Sequence, residues 1–359
     1  MRLLLVIFLL GACAPRPGYQ IVPPSDAGRI YPVFFAASRS EDETGPFGFS
    51  RSEIVQYGQV DVSIPPDHQI GKIEVAAKSN PEKTFALVGQ SAFSDPQAFR
   101  NSLRKALRSS AQGEVVIFVH GYNTTYPEGL FRTAQIVHDF GFKAVAVHYS
   151  WPSRGNPMGY AYDRDSALFA RDGLERLIAD VRAAGARDVL IVAHSLGSHL
   201  TMETLRQIEI AGRGQARRQV DAVVLISPDI NIDVFRSQAA RIGRLPDPFF
   251  IFVSKRDRAL ALSARLTGER NRLGNVQSIE RVADLDITVL DVTDFKGDAM
   301  NHFTVASSPT LIAMLANLPD VAALISGDQS GRVGLVRGAV LTLREATEVV
   351  LTPVSAIAP

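Results

Sequence analysis

The feature that most constrains this chain is a series of short, unbroken apolar runs, each followed by an amphipathic stretch long enough for a helix. Val115-Val116-Ile117-Phe118-Val119 has no polar residue to turn toward water, which marks a strand buried on both faces. Comparable runs lie at residues 144–148, 189–193, 220–226, 249–253 and 287–292. Helical patterns separate them at 128–140, 163–184, 196–210, 232–242 and 259–266. Strand and helix alternating in this way predict an α/β fold: a mostly parallel sheet with helices on both faces. Upstream, 31–37 and 84–88 read as strands with a natural place at an antiparallel edge, and a helix over 96–110 leads into the main sheet. The apolar fraction of 46% supplies a sizeable core. Lys and Arg number 38 against 37 Asp and Glu, a balance that excludes a nucleic-acid binder relying on a strongly basic surface. Beyond residue 319 the pattern weakens, and 333–343 reads as a short hairpin or helix without a functional reading.

Chemistry enters at the ends of the strands. After 189–193 comes His194-Ser195-Leu196-Gly197 and then a helix: strand, sharp turn, helix, with a serine at the turn. Such an elbow needs small neighbours, and here Ala193 stands at the first small position and Gly197 at the last. The plainer alternative is a serine that caps the following helix. After 115–119 comes His120-Gly121-Tyr122-Asn123. In hydrolases with this topology, an amide of this loop and the amide following the serine hold an oxyanion, which nominates the N–H groups of Tyr122 and Leu196. His120 reads as a loop organiser rather than a base. Two histidines follow the serine. His199 lies within the helix and reads as packing, while His302 follows the last strand in a polar turn, where the base belongs. Asp229 and Asp257 each follow a strand, and spacing leaves both open as the acid. Trp151 and Phe303 are possible pocket residues, although a large aromatic is more often core packing.

Taken together, 118–123, Trp151-Pro152-Ser153, 193–197, Ser227-Pro228-Asp229-Ile230 and Arg272-Leu273-Gly274 resemble the esterase/lipase-like α/β-hydrolase family of unknown function. Residues 34–39 resemble its N-terminal strand, and Tyr160 and Asp163 fit its motif after the tryptophan loop. The resemblance runs from about 31 to about 315, nearly all of the mature chain. It places the acid in the segment 253–260, which implies Asp257 and leaves Asp229 a structural role, as a cap for the helix starting near 232. It implies a serine hydrolase, Ser195-Asp257-His302, cleaving esters through an acyl-enzyme with no metal or organic cofactor. An amidase or acyltransferase on the same triad, or an envelope protein that binds without catalysis, are the rival functions. The basic cluster 213–218 reads as a solvated connection.

The N-terminus carries a separate signal. One positive charge precedes the apolar run 3–10, which is too short to span a bilayer but suits a secretory signal. The run ends in Leu10-Gly11-Ala12-Cys13, which resembles the lipobox of bacterial lipoproteins, and Cys13 is the sole cysteine. Plain secretion, by cleavage at the small residues 12–14, is the alternative. The lipoprotein reading gives a signal peptide at 1–12 and a lipidated, Pro-rich tether at 13–29. The hydrolase domain then covers 30–318, with an extension of unassigned role at 319–359. It implies a membrane-anchored protein of the bacterial envelope. Ala14 rather than aspartate after the cysteine implies the outer membrane, facing the periplasm. Partners are then a small-molecule or lipid ester and the membrane, not nucleic acid.

Overall fold

In the computed structural model, the described residues are 16–316, apart from 111, 270, 271 and 279, together with the backbone of three strands within 334–353. Cys13 and the signal segment lie outside them. The chain opens with strands β1 (Arg29–Arg39), β2 (Arg51–Ile64) and β3 (Ala86–Phe93) and helix α1 (Pro96–Ser109). Strands and helices then alternate: β4 (Glu114–Val119), α2 (Tyr126–Asp139), β5 (Val145–Ser150), α3 (Tyr160–Phe169), α4 (Arg171–Ala184), β6 (Asp188–His194) and α5 (Leu196–Ala211). After the short α6 (Gln215–Gln219) come β7 (Ala222–Ile226), α7 (Ile232–Ile242), β8 (Phe249–Val253), α8 (Arg258–Leu266), β9 (Thr288–Asp291) and α9 (Pro309–Leu315). The last strands are β10 (Gly334–Val336), β11 (Ala339–Glu345) and β12 (Glu348–Pro353). All strands join one sheet, in the order β10-β11-β12-β9-β8-β7-β6-β4-β5-β1-β2-β3. The run from β9 to β1 is parallel throughout, and β2 and β3 add an antiparallel hairpin-like edge.

The unbroken apolar runs are explained by which face each residue serves. Along β4, Val115, Ile117 and Val119 join a core shared with α1, α4, α5 and α7, through side chains such as Phe99, Leu174, Leu200 and Phe235. The alternate residues Val116 and Phe118 join a second core with Ile136 of α2 and Leu311 and Leu315 of α9. Burial on both faces leaves no position for a polar side chain, as the period-two geometry of a strand requires.

Several elements depart from the sequence reading. The strand β2 has no counterpart there, because its first half is exposed and polar and it lacks a continuous apolar run. The stretch 163–184, read as one helix, is two: the Tyr149 hydroxyl donates to the carbonyl of Ala170 at 2.7 Å, at the point where α3 passes into α4. A side-chain hydroxyl inserted at a helix carbonyl is a recognised cause of such breaks. The residues read as a tether are not free of the domain from Arg16 onward. Val22 N–H donates to Leu87 C=O at 2.9 Å, and Tyr19 packs against the rings of Phe47 and Tyr126. The stretch 333–343, read as a hairpin or helix, forms the hairpin β10–β11, while β12, which had no counterpart, extends the sheet by pairing in parallel with β9. Among the described residues, no helix is long and apolar enough to cross a membrane.

The order in which strands are added reverses at β4: β5 lies on one side and β6 on the other, so the loops after β4 and β6 leave a crevice between them. Register brings them level, since Val119 pairs with Ala193 and His194 with Ile226. Closing that crevice demands close backbone approach. A Cβ on Gly197 would stand 2.3 Å from the carbonyl oxygen of His120 and 2.6 Å from that of Val119. Those neighbours are backbone and cannot swing away. Gly197→Ala therefore costs about 1–3 kcal/mol of stability, as overpacked sites do, and urea melts of the two proteins measure it. Coincident melting midpoints would contradict this account of the crossing.

Candidate active site

Ser195 sits between β6 and α5 with φ 52° and ψ −121°, a conformation that non-glycine residues rarely adopt. It is held there by its own backbone. Its N–H donates to Ile226 C=O at 2.9 Å, and its C=O accepts from Ser198 at 3.0 Å and Asp229 at 3.1 Å. The side chain makes no capping bond to α5, so the serine is not spent as a cap. Its hydroxyl has no hydrogen-bond partner among the described residues. Gly121 faces it across the crevice, and a Cβ there would come within 3.0 Å of the Ser195 Cβ.

The structure brings His302 and Asp257 together. His302 Nδ1–H donates to Asp257 Oδ2 at 2.8 Å, and the carboxylate's other oxygen accepts the Leu260 N–H at 2.9 Å, capping α8. Asp257 is buried, while the His302 side chain stays partly exposed toward the crevice. Burial works against the charged imidazole, but the bond to Asp257 and the charges of Asp257, Asp229 and Asp298 outweigh it and raise the His302 pKa. The turn carrying His302 is fixed by Asp298, which sequence reasoning missed. Its Oδ1 accepts the N–H groups of His302 at 2.9 Å and Phe303 at 2.7 Å. His194, also missed, packs its ring 4.6 Å from that of His302 and 4.3 Å from that of Phe303. Its place directly before the serine was a usable signal.

The nominated amides of Tyr122 and Leu196 have no hydrogen-bond partner among the described residues. Leu196 opens α5, where N–H groups have no intrahelical acceptor. The loop before them is organised by His120, as read from sequence. Burial beside Arg39 holds the His120 imidazole neutral, its pKa well below the ordinary value. Its Nδ1 lies 2.9 Å from Gly121 C=O, and its Nε2 lies 3.0 Å from Trp151 C=O and 3.2 Å from an Arg39 Nη. Arg39 itself is buried and reaches Ser150, Gly48, Ser153 and Thr124, which ties β1 to the loops after β4 and β5. Asp163, also buried, accepts from Ser153, Arg154 and Asn123 and joins the same loops.

Two sequence expectations fail. Trp151 lines no part of the cleft: it is wholly buried, stacked 4.7 Å from the His120 ring, and its indole N–H donates to His120 C=O at 2.7 Å. Asp229 caps no helix, since α7 is capped by Asn231, whose side chain accepts from Asp233 and Val234. Asp229 instead accepts hydroxyl bonds from Tyr160 at 2.8 Å and Ser263 at 2.7 Å, and pairs with buried Arg272 at 3.2 Å. Phe303 does line the cleft, a space of about 900 Å³ bounded also by His120, Gly121, Arg132, His194 and the N-terminal residues Arg16 and Pro17. A smaller apolar cavity of about 310 Å³ against β6, β7 and β8 carries no titratable or nucleophilic lining group. His199 is part-buried in α5, and the cluster 213–218 runs into α6.

A parallel sheet whose strand ends gather a strained serine, a carboxylate-bound histidine and free amides defines an α/β-fold hydrolase. The model of the family described as alpha/beta hydrolase of unknown function (DUF900) matches residues 95–318, more than half of the chain. The chain belongs to that family. An uncharacterized protein from Nostoc sp. is 26% identical over 131 residues, which cover 29% of this chain and 34% of the relative. The chain thus spans about a third of the length of that curated relative. Among solved structures, dienelactone hydrolase from Anabaena variabilis is similar over 83% of this chain and 98% of its own, at 11% identity and a TM-score of 0.39. Lipase B from Aspergillus fumigatus is similar over 42% of each chain, at 17% identity and a TM-score of 0.29.

The two aspartates separate by experiment. Asp229→Asn removes the buried partner of Arg272 and leaves it only the more exposed Glu269, 3.1 Å away, at a cost of about 3 kcal/mol. Asp257→Asn retains a side chain able to cap α8 and costs less than about 1 kcal/mol. Urea melts at neutral pH rank the variants; the reverse order would contradict an ion-pairing role for Asp229 and a capping role for Asp257.

Proposed function

We propose that this protein is a serine hydrolase that cleaves carboxylic esters through an acyl-enzyme. The observation that carries this reading is the 2.8 Å bond from His302 Nδ1–H to Asp257, together with a serine in a strained elbow whose hydroxyl has no partner among the described residues. With Nδ1 protonated, Nε2 of neutral His302 presents a lone pair and accepts the Ser195 proton as the oxygen attacks the ester carbonyl. The developing oxyanion is held by the Tyr122 and Leu196 amides, which cost no reorganisation because they are already unpaired. The imidazolium then protonates the departing alcohol. Water, activated by the same nitrogen, attacks the acyl-enzyme and releases the acid. Ser195 and His302 share no hydrogen bond among the described residues, and catalytic bonds of this kind often form only in the substrate complex.

The lipid anchor belongs to the same reading. The lipobox-like segment ends at Cys13, and Arg16, only three residues on, lines the cleft. Three extended residues reach about 11 Å, so a lipid on Cys13 holds the mouth of the cleft at the membrane surface, where lipid esters are presented.

A fluorophosphonate probe labels the wild type and not Ser195→Ala; labelling that persists in the variant would overturn the serine assignment. The pH profile follows from His302. Its raised pKa means that kcat/KM falls as pH drops through a value above the ordinary 6.5. Asp257→Asn lowers kcat by roughly 10⁴ and moves that limb to lower pH, and an unshifted limb would contradict the pairing. Cys13→Ser abolishes incorporation of labelled palmitate; label retained in that variant would overturn the anchor.

A further inference from the structure

Arg132 enters the cleft from α2 and forms no salt bridge among the described residues. Its guanidinium lies over the Phe303 ring, 4.5 Å from the centroid, immediately after the proposed base in sequence. One Nη donates to Gln135 at 2.8 Å and approaches Ala306 C=O at 3.4 Å. The Nε and the other Nη have no hydrogen-bond partner among the described residues, and Arg132 lines the cleft. The carboxylates that act on it electrostatically are Asp298, Asp139 and Glu128. Each is engaged elsewhere. Asp298 accepts the amides of the His302 turn, and Asp139 accepts from His68, Gln135 and Gly71. Glu128 accepts the Thr125 N–H and pairs with Arg16. The other cleft cation, Arg16, is thereby neutralised.

A part-buried guanidinium without a paired anion is costly to keep, and its flat, fixed fork suits a carboxylate or phosphate. Stacking on Phe303 fixes its orientation. A chain of ring contacts, Phe303 to His194 at 4.3 Å and His194 to His302 at 4.6 Å, puts it beside the reacting centre. Resting on the ester-hydrolase reading above, we infer that Arg132 is a substrate-binding residue and that the preferred ester carries a carboxylate or phosphate near its scissile bond. The anion completes the guanidinium's unfilled hydrogen bonds while the carbonyl meets Ser195.

Matched substrates test this on the purified full chain. One pair is 4-nitrophenyl hexanoate against 4-nitrophenyl hydrogen adipate, with the anion on the acyl side. The other is ethyl butyrate against 2-carboxyethyl butyrate, with the anion on the alcohol side. The wild type favours the anionic member of at least one pair in kcat/KM, and Arg132→Gln loses roughly ten- to a hundredfold on that member alone. Arg132→Lys, which keeps the charge but not the fork, retains part of the preference and stands in should the glutamine variant misfold. A merely structural Arg132 would lower both members of a pair equally, and that result overturns the inference. So does a wild type, active and labelled by fluorophosphonate, that shows no anionic preference. An enzyme that neither takes up the probe nor hydrolyses any of the esters instead overturns the hydrolase reading itself.

Discussion

The site depends on a backbone held where backbone does not rest. Ser195 occupies φ 52° because its amide and carbonyl are locked by Ile226, Ser198 and Asp229, from β7, α5 and the loop after β7. That locking requires the first turn of α5 to press against the end of β4, and only a residue without a side chain at 197 permits it. Strain of this kind costs of order 1–3 kcal/mol and survives only where surrounding structure over-determines it. Here it projects the hydroxyl into the crevice, away from the helix it would otherwise cap.

Around that turn lie two buried polar systems. One, centred on Arg39, His120 and Asp163, stitches β1 and the loops after β4 and β5 into the wall that carries the Tyr122 amide. The other joins Asp229 to Tyr160, Ser263 and Arg272, tying α3 and α8 to the loop after β7. Buried charges this well bonded do little for net stability against an apolar substitute, but breaking one is expensive. Their work is positional: they fix loops that the parallel sheet alone leaves free.

The sheet and its order of helices were legible because a strand buried on both faces must be apolar without interruption. The elbow and the His120 loop were legible because they follow such strands directly, and His302 because it lies in the polar turn beyond the last of them. What escaped lacked that signature. The strand β2 is half exposed and reads as polar sequence. Asp229 and Asn231 stand two residues apart, and nothing in their spacing tells which caps α7 and which receives Arg272 from far along the chain. Trp151 as an indole was compatible with pocket or core; only the stacked His120 ring and its carbonyl decide for core. Asp298 and Arg132 act through partners brought near by folding, which local pattern does not encode.

The central claim is that turnover passes through an ester of Ser195. Rapid mixing with a 4-nitrophenyl ester, acid quench within the first turnover and mass spectrometry of the digested protein test it directly. The account predicts a burst of 4-nitrophenol equal to the enzyme present, and an acyl group on the peptide that contains Ser195. Steady turnover with no acylated peptide, or acyl carried by another residue, would contradict it.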